Sequence, residues 1–179
     1  PRDFLVAVLA WAFLFQLAWI LSLRAQAFVY ADSFELSTSA SDILSGDLAA
    51  FVLNGPIGST SFADPDPASY FHMYPFQAGS LYVFVLMKAL FGENFVQPFQ
   101  IVNAVCNCVV IYCLFSMSKS LGSSKRVQNV CLLLCGICFP LLFSCAFVYG
   151  NSIGLAFSCA AIALLMNGLA QSDRKARLV

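Results

Sequence analysis

Four apolar stretches recur along this chain, each close to the length of a bilayer crossing: residues 4–23, 99–117, 130–148 and 152–170. A helix needs about 20 apolar residues to span the hydrocarbon layer. Composition agrees: 60% of the residues are hydrophobic, only 10% are charged, and the mean hydropathy is +0.83, far from a water-soluble domain. A secretory signal would be one short apolar stretch ending in a small-residue cleavage site, whereas here apolar segments continue to the end. The expectation is an all-α integral membrane protein with about four transmembrane helices, a single transmembrane domain over residues 1–179 and no separate soluble domain. The chain starts at Pro1 without methionine and ends at "DRKARLV" just after an apolar run, so we expect it to be a piece of a longer protein.

A fifth apolar run, residues 78–91, is only 14 residues long and contains Lys88. Charge parity decides its status. With four crossings and the N-terminus inside, Arg2, the group Lys119, Lys125 and Arg126, and the group Arg174, Lys175 and Arg177 all fall on the cytoplasmic side, as the positive-inside rule prefers. A fifth crossing would send both groups outside. Residues 78–91 are therefore expected to form a juxtamembrane or half-inserted helix that rims a cavity on the outer face. Residues 31–98 then make a long first outer loop, which holds Asp32, Glu35, Asp42, Asp47, Asp64 and Asp66 and, from 31 to 76, no Lys or Arg.

Within that loop, Asp32-Ser33-Phe34-Glu35 fits a capping box. Leu36, Ala40, Ile43 and Leu44 follow as an amphipathic stripe, predicting a helix over 33–45 that ends at Gly46. A second short turn is expected over 47–53, ending at Asn54-Gly55-Pro56, and an extended segment over 58–69. Pro98 suits the first turn of the second span. Pro140 falls in mid-span and should kink the third crossing unless neighbouring helices satisfy the freed carbonyl. Gln16, Gln100, Asn103, Asn107 and Asn167 lie in or near spans and should face other helices or a wet cavity.

The candidates for chemistry are few. Asp32, at the outer end of the first span, could act as a general base towards an acceptor hydroxyl, a role a carboxylate fills when desolvation raises its pKa; it is equally an N-cap. Asp42 and Asp47 read as solvated acids. Asp64-Pro65-Asp66 has the form of a D-x-D metal triplet and also of a turn. His72, the single histidine, could polarise a phosphate or carry a proton. Tyr74-Pro75 fixes an extended backbone before a helix start, and Gln77 offers donors and acceptors to a sugar or phosphate. Arg24 and Lys88 flank the loop, where each could snorkel or hold a lipid phosphate. The turn "VYGNS", 148–152, returns to the outer face, so Tyr149 and Asn151 should confront the first loop. The eight cysteines all lie in apolar segments, which argues against a disulfide framework; Cys131, Cys135 and Cys138 share a helical spacing that a soft metal could use.

Taken in order, "ADS" after the first span, "LSGD" a dozen residues on, "YFHMYPFQAG" leading into "LMKALFGEN", and "FVYGNSIGLAF" after the third span resemble the N-terminal part of the GT-C superfamily. The nearest members are bacterial glycosyltransferases of the family 39 type, related to protein O-mannosyltransferases and aminoarabinose transferases. The resemblance implies a multi-pass plasma-membrane enzyme, bacterial in type. Such an enzyme moves a sugar from a polyprenyl-phosphate carrier to a glycan, lipid or protein acceptor on the extracytoplasmic face, usually with inversion. It implies that Asp32 lies in the active site, with Tyr74, Pro75 and Gln77 beside the lipid phosphate. Where the family's second outer loop often has another acid, this chain has Asn151, so the question of a divalent cation as cofactor stays open. Nothing points to a nucleic-acid partner. The family's catalytic unit has more crossings than four, so these 179 residues alone are expected to be inactive. The other reading is a non-enzymatic membrane protein, a transporter or an envelope-assembly subunit, whose intramembrane polar residues mark a pathway.

Overall fold

The computed structural model describes residues 2–23, 32–46, 71 and 74–176. Among the described residues the chain is helical throughout and has no strand. Its α-helices are α1 (Arg2–Leu23), α2 (Asp32–Ser45), α3 (Ala78–Phe91), α4 (Val96–Ser120), α5 (Lys125–Gly136), α6 (Phe139–Phe143) and α7 (Asn151–Ala176). Short 3-10 turns at Pro75–Gln77, Gly92–Phe95 and Ser144–Ala146 join some of them. Three helical segments are long and apolar enough to cross a membrane, and a fourth joins them if the bent pair α5 and α6 counts as one span. The outward faces are apolar too, with Val6, Leu14, Phe157, Leu164 and Leu165 all largely exposed, as suits a lipid surround.

The chain divides into two compact units. The first comprises residues 1–24, 100–147 and 151–179. Val8 and Ala12 of α1 pack with Ile111 of α4, Leu132 of α5 and Leu142 of α6. A seam of small residues, Ala156, Cys159 and Ala163 of α7, packs on Val110 and Cys113 of α4, the kind of close contact that membrane helices favour. Gly136 marks another tight approach, because a Cβ there would stand 2.6 Å from Val8 Cγ1.

The third apolar run is bent, as a mid-span proline leads one to expect, but the bend falls ahead of the proline. It divides at Ile137 and Cys138 into two pieces bent by 45°. Pro140 lies in the first turn of α6, where its missing amide hydrogen is harmless, so the break precedes the proline. Carbonyls from α6 onward, past the break, are taken up by α4. Asn107 Nδ2 donates to Leu141 O at 2.8 Å, Gln100 Nε2 to Ala146 O at 2.8 Å and Asn103 Nδ2 to Phe147 O at 2.7 Å. Gln16 of α1 closes the network by accepting from Asn107 at 2.8 Å. Asn167 of α7 donates to Ser116 of α4 at 3.0 Å. The polar residues of the spans thus face other helices.

The second unit comprises residues 25–99 and 148–150. In it α2 packs along α3. Helix α2 begins at Asp32, one residue before the expected start, and ends at Gly46, whose φ of 94° an L side chain would resist. Leu36 and Ala40 are buried as the stripe requires, while Leu44 is exposed. Helix α3 occupies residues 78–91 as expected and stops at Gly92, with φ 58°. Pro98 falls in the first turn of α4. The expected turn at 47–53 and extended segment at 58–69 lie outside the described residues.

Candidate functional site

The second unit brings together three segments far apart in sequence. The first two residues of α2 hold the turn 148–150. Ser33 Oγ donates to Val148 O at 2.6 Å, and Tyr149 donates its hydroxyl hydrogen to Asp32 Oδ2 at 3.1 Å. From the third segment, Gln77 donates through Nε2 to the Tyr149 hydroxyl oxygen. Gly150 lets the turn come this close, since a Cβ on it would collide with the Ser80 side chain.

Each element places its side chain for a local reason. Pro75 opens the 3-10 turn after a non-helical Tyr74 at φ −126°, ψ 61°, and the turn closes with Gln77 N donating to Tyr74 O at 3.0 Å. Gln77 thereby faces inward and is buried, whereas Asp32 is exposed and Tyr149 half-buried. The cluster is a carboxylate at the solvent edge, backed by a phenol, backed in turn by a buried amide.

Burial pushes the Tyr149 phenol up from its ordinary pKa; the hydrogen bond from Gln77 opposes this, and the Asp32 charge and hydrogen bond reinforce it. The phenol therefore stays protonated near neutrality and keeps donating. Glu35, one turn along α2, is also pushed up, first by burial and then by the Asp32 charge. It adds a second acid beside Asp32, which the capping pattern alone explains as a helix-start residue; the i, i+3 spacing of two acids is the signal that points to it.

Of the other expected site residues, Tyr74 is at the surface of the same unit, edge-on to Phe76 with centroids 6.0 Å apart. Lys88 is turned inward and buried: Nζ donates to Ser41 Oγ at 2.5 Å, lies 3.7 Å from Glu93 Oε1 and sits 5.2 Å from the Phe95 ring centre. Asn151 is exposed at the start of α7 and belongs to the first unit. His72 and Arg24 lie outside the described residues, as do Asp47, Asp64 and Asp66.

Cys138 sits at the break after α5, so the face expected for Cys131, Cys135 and Cys138 does not run through on one helix. Among the described residues, no three His, Cys, Asp or Glu side chains are grouped to hold a metal ion. An apolar groove of about 330 Å³, lined by Ala7, Val8, Trp11, Leu133, Gly136 and Ile137, opens between α1 and α5; its walls carry no chemistry.

Comparison with protein-family models, with curated proteins and with solved structures found no match in any of the three.

Proposed function

We propose that this chain is the N-terminal part of a membrane glycosyltransferase that takes a sugar from a polyprenyl-phosphate carrier and passes it to an acceptor hydroxyl at the extracytoplasmic face. The observation that carries the reading is the Asp32, Tyr149 and Gln77 cluster. These residues come from three of the segments on which the GT-C resemblance rests, and they share one hydrogen-bonded chain. A coincidental likeness of short motifs gives no reason for the motifs to meet.

In this role Asp32 accepts the proton of the acceptor hydroxyl as its oxygen attacks the anomeric carbon from the face opposite the phosphate. The bond from that carbon to the phosphate oxygen breaks, and the carrier leaves as polyprenyl phosphate with the bonding electron pair. The proton stays on the Asp32 carboxyl until it passes to solvent. A single displacement of this kind inverts the anomeric centre. Tyr149 is a positioning residue, fixing the carboxylate through Oδ2, and Gln77 positions Tyr149. Such preorganisation is worth about 10²-fold or more in rate where a small displacement disrupts attack geometry.

The test is Asp32→Asn in the full-length protein in membranes, with transfer of labelled sugar from a panel of polyprenyl-phosphate donors as readout. Transfer should fall to background while the protein remains folded; undiminished transfer rejects the assignment.

A transporter is the second reading, favoured by the broken span and by the buried Oδ1 atoms of Asn103 and Asn107, which have no hydrogen-bond partner among the described residues. Substrate-dependent uptake into proteoliposomes without any sugar transfer would select it.

A further inference from the structure

One face of α5 changes character along its length. Arg126, Asn129, Leu133 and Gly136 recur at spacings of three, four and three, so they share a stripe. The stripe opens on a cation, passes through an amide and ends on an aliphatic side chain and a bare glycine. Arg126, Asn129 and Leu133 are exposed, whereas Gly136 is buried against Val8. Leu133 and Gly136 line the groove of about 330 Å³, whose other walls include Ala7, Val8 and Trp11 of α1. That volume is at the lower end of clefts that enclose a small ligand, and the lining is apolar throughout.

Charge is concentrated where α5 begins. Lys119 lies in the last turn of α4, and Lys125 and Arg126 open α5; all three are exposed. No Asp or Glu occurs from residue 94 to residue 172. Helix α1 runs in the same direction as the bent pair, since Val8 approaches Gly136 while Phe15 and Trp19 meet Phe143. Its first turn therefore faces the same end of the groove. The sole carboxylate on α1 and α5 is Asp3 in that turn, which forms no ion pair with these cations and is outnumbered by them.

The spacing fits one molecule. Leu133 stands seven residues beyond Arg126, about 10 Å along the axis, and Gly136 stands about 15 Å along it. Half of the hydrocarbon layer is about 15 Å deep, so cation and groove belong to one leaflet. The order along α5 is that of a phospholipid read from its phosphate, through its glycerol esters, to its acyl chain.

We infer that α1 and α5 hold one anionic phospholipid, its phosphate at Lys125 and Arg126, its ester region at Asn129 and an acyl chain in the groove beside Leu133 and Gly136. A zwitterionic lipid brings its own cation to a basic site and gains less there. The inference rests on reading α1 and the bent pair as membrane spans, and it stands apart from the glycosyltransferase reading.

The test uses the full chain in phosphatidylcholine nanodiscs doped with phosphatidylglycerol that carries a mid-chain diazirine. After irradiation, labelled peptides are mapped by mass spectrometry. Label should be several-fold denser on residues 7–11 and 133–137 than around Phe157, Leu164 and Leu165, which are exposed on α7. Excess unlabelled phosphatidylglycerol should displace it where phosphatidylcholine does not. Lys125→Gln combined with Arg126→Gln should lower the enrichment to that of a diazirine phosphatidylcholine. Ala7→Leu, which fills the groove from an exposed position, should lower the label with either headgroup. Label spread evenly over α1, α5 and α7 would overturn the inference in favour of bulk lipid. Enrichment that survives the double charge variant, or that Ala7→Leu leaves unchanged, would also overturn it. A groove left unlabelled while α7 is labelled would overturn it in favour of a protein cover, from a second copy or another segment.

Discussion

The Tyr149 hydroxyl donates to Asp32 Oδ2 at 3.1 Å across 117 positions of sequence, joining the start of α2 to the turn between α6 and α7. The bond fixes one oxygen of an exposed carboxylate without neutralising it. Its donor is a phenol that burial keeps protonated.

Tyr149→Phe removes this hydroxyl and leaves the ring. It should lower sugar transfer by about 10-fold or more through misplacement of the carboxylate. The loss in stability should be about 1 kcal/mol, as for one partly exposed hydrogen bond. Gln77 then loses its acceptor, so Gln77→Leu should cost less when combined with Tyr149→Phe than it does alone. Thermal unfolding and transfer assays on the two single variants and the double variant measure the coupling.

The raised pKa of Glu35 fixes the sign of its pH effect. A carboxyl that holds its proton more tightly when folded stabilises the fold fully below its unfolded pKa and loses that contribution as pH rises through the folded value. Glu35→Gln should therefore be the more stable protein at neutral pH, and the difference should vanish as pH falls below the ordinary carboxyl value of 4.5. The effect is below about 1 kcal/mol, because solvent screens this partly exposed pair. Melting temperature against pH for both proteins checks it.

Asn107 meets Gln16 and Leu141 O in the apolar interior. Asn107→Leu leaves a buried carbonyl and the Gln16 amide without this partner, and should cost about 2–4 kcal/mol, near two unmade hydrogen bonds. Gln16→Leu added to it should cost much less than it does alone. Denaturant unfolding in a fixed detergent gives both values.

A methyl group added at Gly136 would meet Val8 Cγ1 at 2.6 Å. Gly136→Ala should push α5 off α1 and destabilise by about 1–3 kcal/mol, the usual cost of overpacking. Val8→Ala should recover part of that loss in the double variant, although it costs stability alone. Recovery in the melting temperature is the decisive reading.

Features governed by neighbouring residues are legible in the sequence. The ends of α3 and the Gly46 stop of α2 follow from local chemistry, because a 14-residue apolar run and a positive-φ glycine act over a few positions. Tyr149 can be placed near the first loop because crossing parity carries long-range information. The third span is harder. Pro140 is visible, but the break lies at Ile137 and Cys138, and the carbonyls of the piece beyond it are met by α4 amides 34 to 46 residues upstream of them. The inward turn of Lys88 is hidden for a similar reason: its partner Ser41 lies 47 residues earlier, and a lysine at a helix edge is as consistent with snorkelling as with burial.

The amides of α4 act as a splint on a fractured rod. Asn107 grips a carbonyl of α6, Gln100 one at the end of the 3-10 turn after it and Asn103 the one that follows, and about 100° of rotation per residue along α4 separates the right position from the wrong one. Sliding α4 by a single position would turn its amides away from Ala146 O and Phe147 O, while Leu141 O would keep the Ser144 hydroxyl. The stretch beyond the discontinuity is thus tied to the phase of its neighbour, and the two can change register only together.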